Sequence, residues 1–215
     1  HLTNHSNRPL KRQLNSSVMH LSGVIMNLEA LLKNLEEQGK ENDAREIGRE
    51  DKLLNITRDT GEFISTLIKA SNSSSILEIG TSNGYSTLWL ASSINDGGKV
   101  KTVEISAKKV DMARRNFESA KLQNKIDLIC SDFIDFMKSN QEQYDLVFLD
   151  SDRTKYISIE NEIISSIKSG GLLICDNAIS HSYELKPFIT KIKSNSIFTC
   201  STVPVGKGEF IAVKA

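Results

Sequence analysis

The sequence has no apolar run approaching the ~20 residues that a membrane-spanning helix needs, so we expect no membrane-spanning segment. It also has no apolar signal core near its start, and we therefore expect a cytoplasmic rather than a secreted protein. An excess of one charge is missing too, because 27 basic residues offset 27 acidic ones. A strongly basic face for nucleic acid is therefore not indicated.

Cysteine is scarce, and the three that occur, Cys130, Cys175 and Cys200, lack the spacing of a metal-binding motif. Each lies in or beside an apolar run typical of a β-strand. This pattern indicates small, buried core residues in a reducing cytoplasm.

The N-terminal part of the chain is predicted to be helical. Residues 1–15 are polar and basic, and we expect a poorly ordered arm. Over 17–35 the apolar residues recur in steps of three and four, which predicts a helix that ends at Gly39. A charged connector over 40–52 leads to a second helix, for which Thr57 supplies a start.

From residue 75 onward, strand and helix patterns alternate and end in a hairpin. Strands are predicted over 76–80, 100–105, 126–130, 146–150, 172–176, 197–203 and 209–214, with Gly170-Gly171 as a turn before the fifth. Helices are predicted over 84–93, 107–121, 132–139, 155–168 and 183–193. We expect a Rossmann-like, doubly wound α/β sheet of seven strands, mostly parallel with an antiparallel C-terminal strand. Residues 1–70 would form an arm and a helical extension packed on this main domain, residues 71–215.

A glycine turn follows the first predicted strand. Gly80 and Gly84 flank it, and glycine lets the backbone adopt positive φ and lets a ligand approach closely. Glu104 ends the second strand 20 residues beyond Gly84, a position from which an acid typically hydrogen-bonds a ribose diol. Because the G-x-G-x-x-G spacing of dinucleotide sites is absent, the loop more closely resembles one that holds S-adenosylmethionine.

Acidic residues end or follow strands two to five. Asp150 and the pair Asp176-Asn177 come at the ends of strands four and five, which we expect to be neighbours. Two carboxylates and an amide oxygen make a hard, all-oxygen ligand set. The sequence therefore predicts a site for Mg²⁺ or another small divalent cation at this edge of the sheet.

Four separated motifs together resemble the cation-dependent O-methyltransferases, a family that includes catechol and caffeoyl-CoA O-methyltransferases. The motifs are LEIGTSNGYSTLWL at 77–90, YDLVFLDSDRTKY at 144–156, GGLLICDN at 170–177 and PVGKG at 204–208. The resemblance runs from about residue 54 to the end of the chain, and it implies metal ligation by Asp150, Asp176 and Asn177. It also implies that S-adenosylmethionine contacts Glu78, Gly80, Tyr85, Ser86, Glu104, Asp132, Phe133 and Asp150.

The chain departs from the family's pattern at two positions. The family usually has a lysine three residues after the first metal-binding Asp, where it helps to deprotonate the acceptor hydroxyl, but Arg153 stands here. Arginine does not release a proton near neutral pH, so Arg153 cannot be the base, although it can stabilise an oxyanion. His181 lies where relatives that act on phenols more often have an aromatic residue. It is either a substrate contact or base, or a helix-start residue held by its surroundings.

These residues predict a metal-assisted methyl transfer from S-adenosylmethionine to a hydroxyl group. The acceptor would be small and catechol-like, or would carry another vicinal oxygen. Asp150, Arg153 and His181 are the catalytic candidates. Three alternatives stay open. One is methylation of a hydroxylated tRNA uridine, for which the basic arm with Arg8, Lys11 and Arg12 would serve. The others are a nicotinamide-dependent oxidoreductase and a cofactor-binding protein without activity. We also expect a homodimer, in which the first helix packs on a partner chain.

Overall fold

The computed structural model describes residues 28–215, so the expected arm over 1–15 and the start of the first helix lie outside it. Residues 28–43 are helical (α1), and the prediction that this helix ends at Gly39 is wrong. The Asn55 side-chain nitrogen donates a hydrogen bond to the Leu35 carbonyl at 3.0 Å. This nitrogen would lie only 2.5 Å from a Cβ at Gly39. Gly39 therefore allows close packing inside the helix, where it does not act as a C-cap.

The second helix, α2, spans Arg58–Ser71 and begins where the sequence predicted. Thr57 is its N-cap, and its hydroxyl accepts a hydrogen bond from the Thr60 backbone N–H. Helix α2 buries Ile64 and Ile68 against the sheet. Within residues 28–215 no helix is long and apolar enough to cross a membrane.

The sheet has the predicted seven strands. They are β1 (Ser75–Ile79), β2 (Lys99–Glu104), β3 (Ile126–Cys130), β4 (Tyr144–Leu149), β5 (Ile167–Cys175), β6 (Phe198–Val203) and β7 (Glu209–Lys214). Their order is β3-β2-β1-β4-β5-β7-β6, with β1 to β5 parallel and β7 antiparallel to both of its neighbours. The doubly wound, mostly parallel fold class is therefore confirmed.

Helices cover both faces of the sheet. The remaining ones are α3 (Tyr85–Ser93), α4 (Ala107–Ser119), α5 (Phe133–Ser139), α6 (Glu160–Ser165) and α7 (Ser182–Ser194). Buried residues of α1 to α4 form one core with Ile76, Val100 and Leu146 of the sheet. Buried residues of α5, α6 and α7 form the other core with Leu77 and Val147, because neighbouring residues of a strand point to opposite faces.

Two local predictions on the β4 to β5 connection need correction. The predicted helix over 155–168 is a 3₁₀ helix, Arg153–Ile159, followed by the short α6. Gly170-Gly171 lies inside β5, where the register shifts so that Tyr144 pairs with Ile167 and Leu146 pairs with Leu172. The positive φ of 77° at Gly170 lets the strand accommodate this irregularity without turning.

Candidate functional site

A cavity of about 940 Å³ opens at the carboxyl edge of the sheet, where the loops that follow parallel strands place ligands. Eight of the residues predicted for the site line it: Gly80, Tyr85, Ser86, Glu104, Asp150, Arg153, Asn177 and His181. The 47–56 segment between α1 and α2 supplies much of the remaining wall, together with Lys109 and Lys207. Sequence reasoning missed this segment, because its charged, weakly patterned residues resemble any solvated connector.

The glycine turn after β1 is built by two close backbone approaches. Gly80 has a φ of 105°, and a Cβ there would lie 2.1 Å from the Asp150 carbonyl oxygen. Gly84 has a φ of 85°, and a Cβ there would lie 2.4 Å from the Phe117 ring. Both glycines are therefore required by space as well as by backbone conformation.

Glu104 is fixed at the end of β2 by backbone donors. One carboxylate oxygen accepts from the Ser82 N–H at 2.8 Å, and the other accepts from the Ser106 N–H at 2.9 Å. Each oxygen retains a second lone pair, so the carboxylate can still accept bonds from a diol in the cavity.

Glu78, by contrast, does not reach the cavity wall. It is fully buried beneath the turn, where hydroxyls of Ser86, Thr87 and Thr102 donate to its carboxylate. Burial raises the pKa of Glu78 to about 7, although these three hydrogen bonds oppose the shift. In this geometry Glu78 supports the start of α3 from behind the cavity wall, and its predicted contact with S-adenosylmethionine stays a prediction.

This buried carboxyl should make stability depend on pH. Glu78 has a pKa near 4.5 when unfolded and about 7 when folded, so the folded state retains a proton that the unfolded state has lost. The stabilisation from this retained proton is complete below pH 4.5. The free energy of unfolding then falls by on the order of 3 kcal/mol as pH rises toward 7. Urea titrations at several pH values should show this slope flattened in Glu78→Gln. The control Glu118→Gln removes an exposed carboxylate of α4 and should keep the slope. Parallel curves for wild type and Glu78→Gln would contradict the assignment.

A smaller cavity of about 110 Å³ adjoins the first and shares Gly80, Glu104 and Ile105 with it. Asp132 and Phe133, the residues that the resemblance places near adenine, line this smaller cavity. The Asp132 carboxylate caps α5 by accepting from the Ile134 N–H at 2.8 Å. The two cavities thus meet beside Glu104.

The predicted metal ligands lie on the ends of adjacent strands. The Asp150 N–H donates to the Ile79 carbonyl at 2.9 Å and the Asp176 N–H donates to the Leu149 carbonyl at 3.1 Å, which ties both residues to the edge of the sheet. Asp176 accepts from both the backbone and the side-chain nitrogen of Asn177, at 2.7 Å and 2.6 Å. Burial, and then the charge of Asp176, raise the pKa of Asp150 well above its usual range.

These residues fit a hard cation by their chemistry, but Asp176 is buried and, unlike Asp150 and Asn177, does not line either cavity. Two carboxylates stand close together, and no residue within 28–215 donates a hydrogen bond to the Asp150 carboxylate. A cation would relieve the repulsion between the two acids and would be bound through oxygen atoms. The described part of the chain has no group of three or more His, Cys, Asp or Glu side chains that could hold a metal. The fit therefore depends on Asn177 as the third ligand.

Glu209 is a buried acid next to this pair that the sequence did not single out. The antiparallel pairing of Cys175 with Phe210 places Glu209 beside Asp176. The Thr60 hydroxyl donates to Glu209 at 3.0 Å, which ties α2 to β7. Burial, and then the charge of Asp176, raise the pKa of Glu209 to about 10, so it is protonated near neutral pH. The proximity of Glu209 to Asp176 follows from the register between β5 and β7, which the sequence does not show.

Arg153 and His181 lie on the wall of the cavity near Asp150. Arg153 is 7% exposed, and its Nε donates to a Glu184 carboxylate oxygen at 3.0 Å. His181 Nδ1 lies 2.9 Å from the Ser180 hydroxyl. Burial, and then the charge of Arg153, lower the pKa of His181 below 6.5, so its imidazole is neutral at neutral pH.

The loop between β6 and β7 closes the site on the same side. The Lys207 carbonyl accepts from the backbone N–H groups of Ile179 and Ser180, at 3.3 Å and 3.0 Å. The Gly206 N–H donates to the Asp59 carboxylate at 3.0 Å. The loop thus joins the segment after Asn177 to the start of α2 and brings Lys207 to the cavity wall.

Comparisons with known proteins find a matching family model and individual relatives. A family model described as O-methyltransferase matches residues 26–211. Caffeoyl-CoA O-methyltransferase 5 of Nicotiana tabacum is 31% identical over 141 residues, which are 63% of this chain and 59% of the relative. Caffeoyl-CoA O-methyltransferase 2 of Eucalyptus globulus is 30% identical over 141 residues, with 63% and 57% covered. The matched region thus spans less than two thirds of the length of these relatives.

Solved structures resemble the chain over most of its length. The O-methyltransferase from Bacillus cereus in complex with SAH is 25% identical with a TM-score of 0.72, and the match covers 88% of this chain and 91% of that one. The O-methyltransferase TomG from Streptomyces achromogenes, in complex with SAM, is 19% identical with a TM-score of 0.73 and supports the fold alone, with 86% and 89% covered.

Proposed function

Because this chain belongs to the O-methyltransferase family, we propose that it transfers the methyl group of S-adenosylmethionine to a hydroxyl oxygen of a small acceptor. The acceptor has a second oxygen next to the reacting hydroxyl, and a divalent cation such as Mg²⁺ assists. One observation carries the proposal: a single cavity joins the glycine turn and Glu104 to Asp150, Arg153, Asn177 and His181. Family membership argues against the oxidoreductase alternative. The basic arm that a tRNA acceptor would use lies outside the described residues.

S-adenosylmethionine would lie along the glycine turn with its ribose on Glu104. The open lone pairs of the Glu104 carboxylate support this placement, as do Tyr85 and Ser86 on the same wall. The adenine would enter the smaller cavity beside Asp132 and Phe133. Bound there, the cofactor would supply the electrophilic methyl group that the acceptor oxygen attacks.

Asp150, Asp176 and Asn177 would hold the cation. A bound divalent ion lowers the pKa of an acceptor hydroxyl and so favours the nucleophilic anion. The Arg153 guanidinium places positive charge beside the developing oxyanion. The neutral His181 imidazole can accept the hydroxyl proton at Nε2, while Nδ1 is held by Ser180. Exclusion of water and orientation of the two reactants supply the rest of the acceleration.

A homodimer in the cytoplasm remains part of this proposal. The cysteines Cys130, Cys175 and Cys200 are all free thiols, which suits a reducing compartment. The prediction that all three are buried is wrong, because Cys130 is exposed and Cys200 is partly exposed, and only Cys175 is buried. Light scattering coupled to gel filtration tests the dimer, and a monomer at micromolar concentration would overturn that element alone.

Methyl transfer to catechol-type compounds tests the proposed function. The protein with S-adenosylmethionine, Mg²⁺ and caffeate or caffeyl alcohol should give an acceptor product heavier by one methylene unit by mass spectrometry. Excess chelator should stop the reaction, and added Mg²⁺ should restore it. Full turnover in excess chelator would refute the metal requirement. Absence of S-adenosylhomocysteine binding by calorimetry would refute the cofactor assignment.

A further inference from the structure

Three cationic side chains and the neutral imidazole of His181 converge on one side of the large cavity. They are Arg49, Arg153, His181 and Lys207, all of which line it, and we call them the basic wall. They come from separate elements. Arg49 is in the 3₁₀ helix Arg49–Asp51, and Arg153 is in the 3₁₀ helix Arg153–Ile159 after β4. His181 is in the turn before α7, and Lys207 is in the β6–β7 loop. Their closeness is electrostatic as well as geometric, because Arg49, Arg153 and Lys207 each contribute to lowering the pKa of His181.

The basic wall has more hydrogen-bond donors than the protein itself uses. Arg153 is buried, and only its Nε has a partner within residues 28–215, the carboxylate of Glu184. Four of its five N–H donors thus have no hydrogen-bond partner within residues 28–215. Among the described residues, Arg49 and Lys207 make no salt bridge, whereas Glu184 is occupied by Arg153.

The acids near the basic wall form no salt bridge with Arg49 or Lys207 among the described residues. Asp150 belongs to the proposed cation site, and the Asp152 carboxylate accepts from the Thr154 hydroxyl at 2.7 Å and lies 3.7 Å from the Lys155 ammonium. Glu50 lies next to Arg49 on the 3₁₀ helix Arg49–Asp51 and lines the same cavity. Arg49 and Lys207 therefore present positive charge to whatever occupies the acceptor side.

We propose that the acceptor carries an anionic oxygen group, a carboxylate or a phosphate, and that the basic wall binds this group on the acceptor side of the large cavity. This inference rests on the proposed function, since it concerns the acceptor of that reaction. Arg49, Arg153 and Lys207 line the same cavity as Asp150, so the anionic group would be held on the acceptor side of that cavity. We expect a compact hydroxy acid such as caffeate, whose carboxylate can reach the basic wall while its hydroxyls lie on the Asp150 side.

Three acceptors with the same 3,4-dihydroxyphenyl ring test the proposal. Caffeate carries a carboxylate, caffeyl alcohol carries no charge, and caffeoyl-CoA carries phosphates at the end of a long chain. We expect kcat/KM for caffeate to exceed that for caffeyl alcohol by about tenfold or more, as for a charge-assisted hydrogen bond. A preference for caffeoyl-CoA that Lys207→Gln abolishes would identify phosphate as the recognised anion.

Variants of the outer basic wall separate recognition from chemistry. Lys207→Gln and Arg49→Gln should each lower kcat/KM for caffeate by about tenfold, mainly through KM, and leave caffeyl alcohol almost unchanged. Both side chains are exposed, so these variants should fold. Lys69→Gln, an exposed lysine at the far end of α2, is the matched control and should behave as wild type. Equal use of caffeate and caffeyl alcohol, unaffected by either variant, would overturn the proposal and leave the proposed function intact.

Direct binding gives a readout that needs no turnover. Calorimetry with the protein saturated with S-adenosylhomocysteine should show caffeate binding that weakens about tenfold in Lys207→Gln and with added salt. If neither acceptor were methylated, the proposed function would fail, but charge-dependent binding of caffeate would still support the basic wall. Binding of caffeate that is insensitive to Lys207, Arg49 and salt would refute it.

Discussion

Asp150→Ala should abolish methyl transfer while leaving cofactor binding nearly intact. No residue within 28–215 donates a hydrogen bond to the Asp150 carboxylate. Its removal therefore deletes a proposed cation ligand and leaves no protein donor without its partner. Loss of metal assistance costs several kcal/mol of transition-state stabilisation, or roughly a thousandfold in kcat. Single-turnover kinetics give the rate, and calorimetry with S-adenosylhomocysteine gives the cofactor affinity.

The control for this variant is Asp127→Asn, which changes an exposed acid on β3 far from the cavity and should retain full activity. Mg²⁺ titration of wild type and Asp150→Ala adds a second readout, since only wild type should bind the ion. If Asp150→Ala kept wild-type activity that remained sensitive to chelator, the cation would be held elsewhere and this ligand set would be wrong.

Gly80→Ala should both destabilise the fold and weaken cofactor binding. An alanine at a φ of 105° costs about 1–2 kcal/mol, because its Cβ approaches the following carbonyl. A further ~1–3 kcal/mol comes from the Cβ lying 2.1 Å from the Asp150 carbonyl oxygen, which is backbone and cannot rotate away. Urea unfolding measures the sum, and calorimetry measures the loss of S-adenosylhomocysteine affinity as the end of β4 is displaced.

Gly97→Ala separates the two contributions. Gly97 also has a positive φ, 87°, but a Cβ there would meet no atom within 4 Å. It should therefore show the backbone cost alone, with unchanged cofactor affinity. Equal destabilisation by the two variants would mean that the Gly80 contact relaxes, and the close approach between β1 and β4 would not constrain the site.

The sheet could be predicted from sequence because buried parallel strands and amphipathic helices leave strong local patterns. Ile126–Cys130 and Glu209–Lys214 have their predicted bounds. The predictions of element bounds were wrong where the conformation of a residue depends on a partner far away in the sequence. Gly39 accommodates Asn55, and Gly170 permits a shift in strand register, yet locally both have the pattern of a helix end or a turn.

The candidate site was predictable at strand ends but not at its distant walls. Asp150 and Glu104 follow from the rule that ligands lie at the carboxyl edge of a parallel sheet. Lys207 and Arg49 reach the same cavity from a hairpin loop and a connector, and no spacing in the sequence relates them. Glu78 also could not be placed from its motif, because the sequence does not show that its carboxylate is buried and accepts hydrogen bonds from three hydroxyls.

The insertion of β7 between β5 and β6 has a consequence for how the protein is made. Glu209 and Thr60 are separated by 149 positions, yet their hydrogen bond joins α2 to the strand beside Asp176. A chain emerging from the ribosome can form β1 to β5 early, but the edge of β5 stays open until the last strand is translated. Because such distant contacts form slowly, the acceptor side of the cavity matures last. A ribosome-bound intermediate should thus acquire its cofactor side before it can select an acceptor.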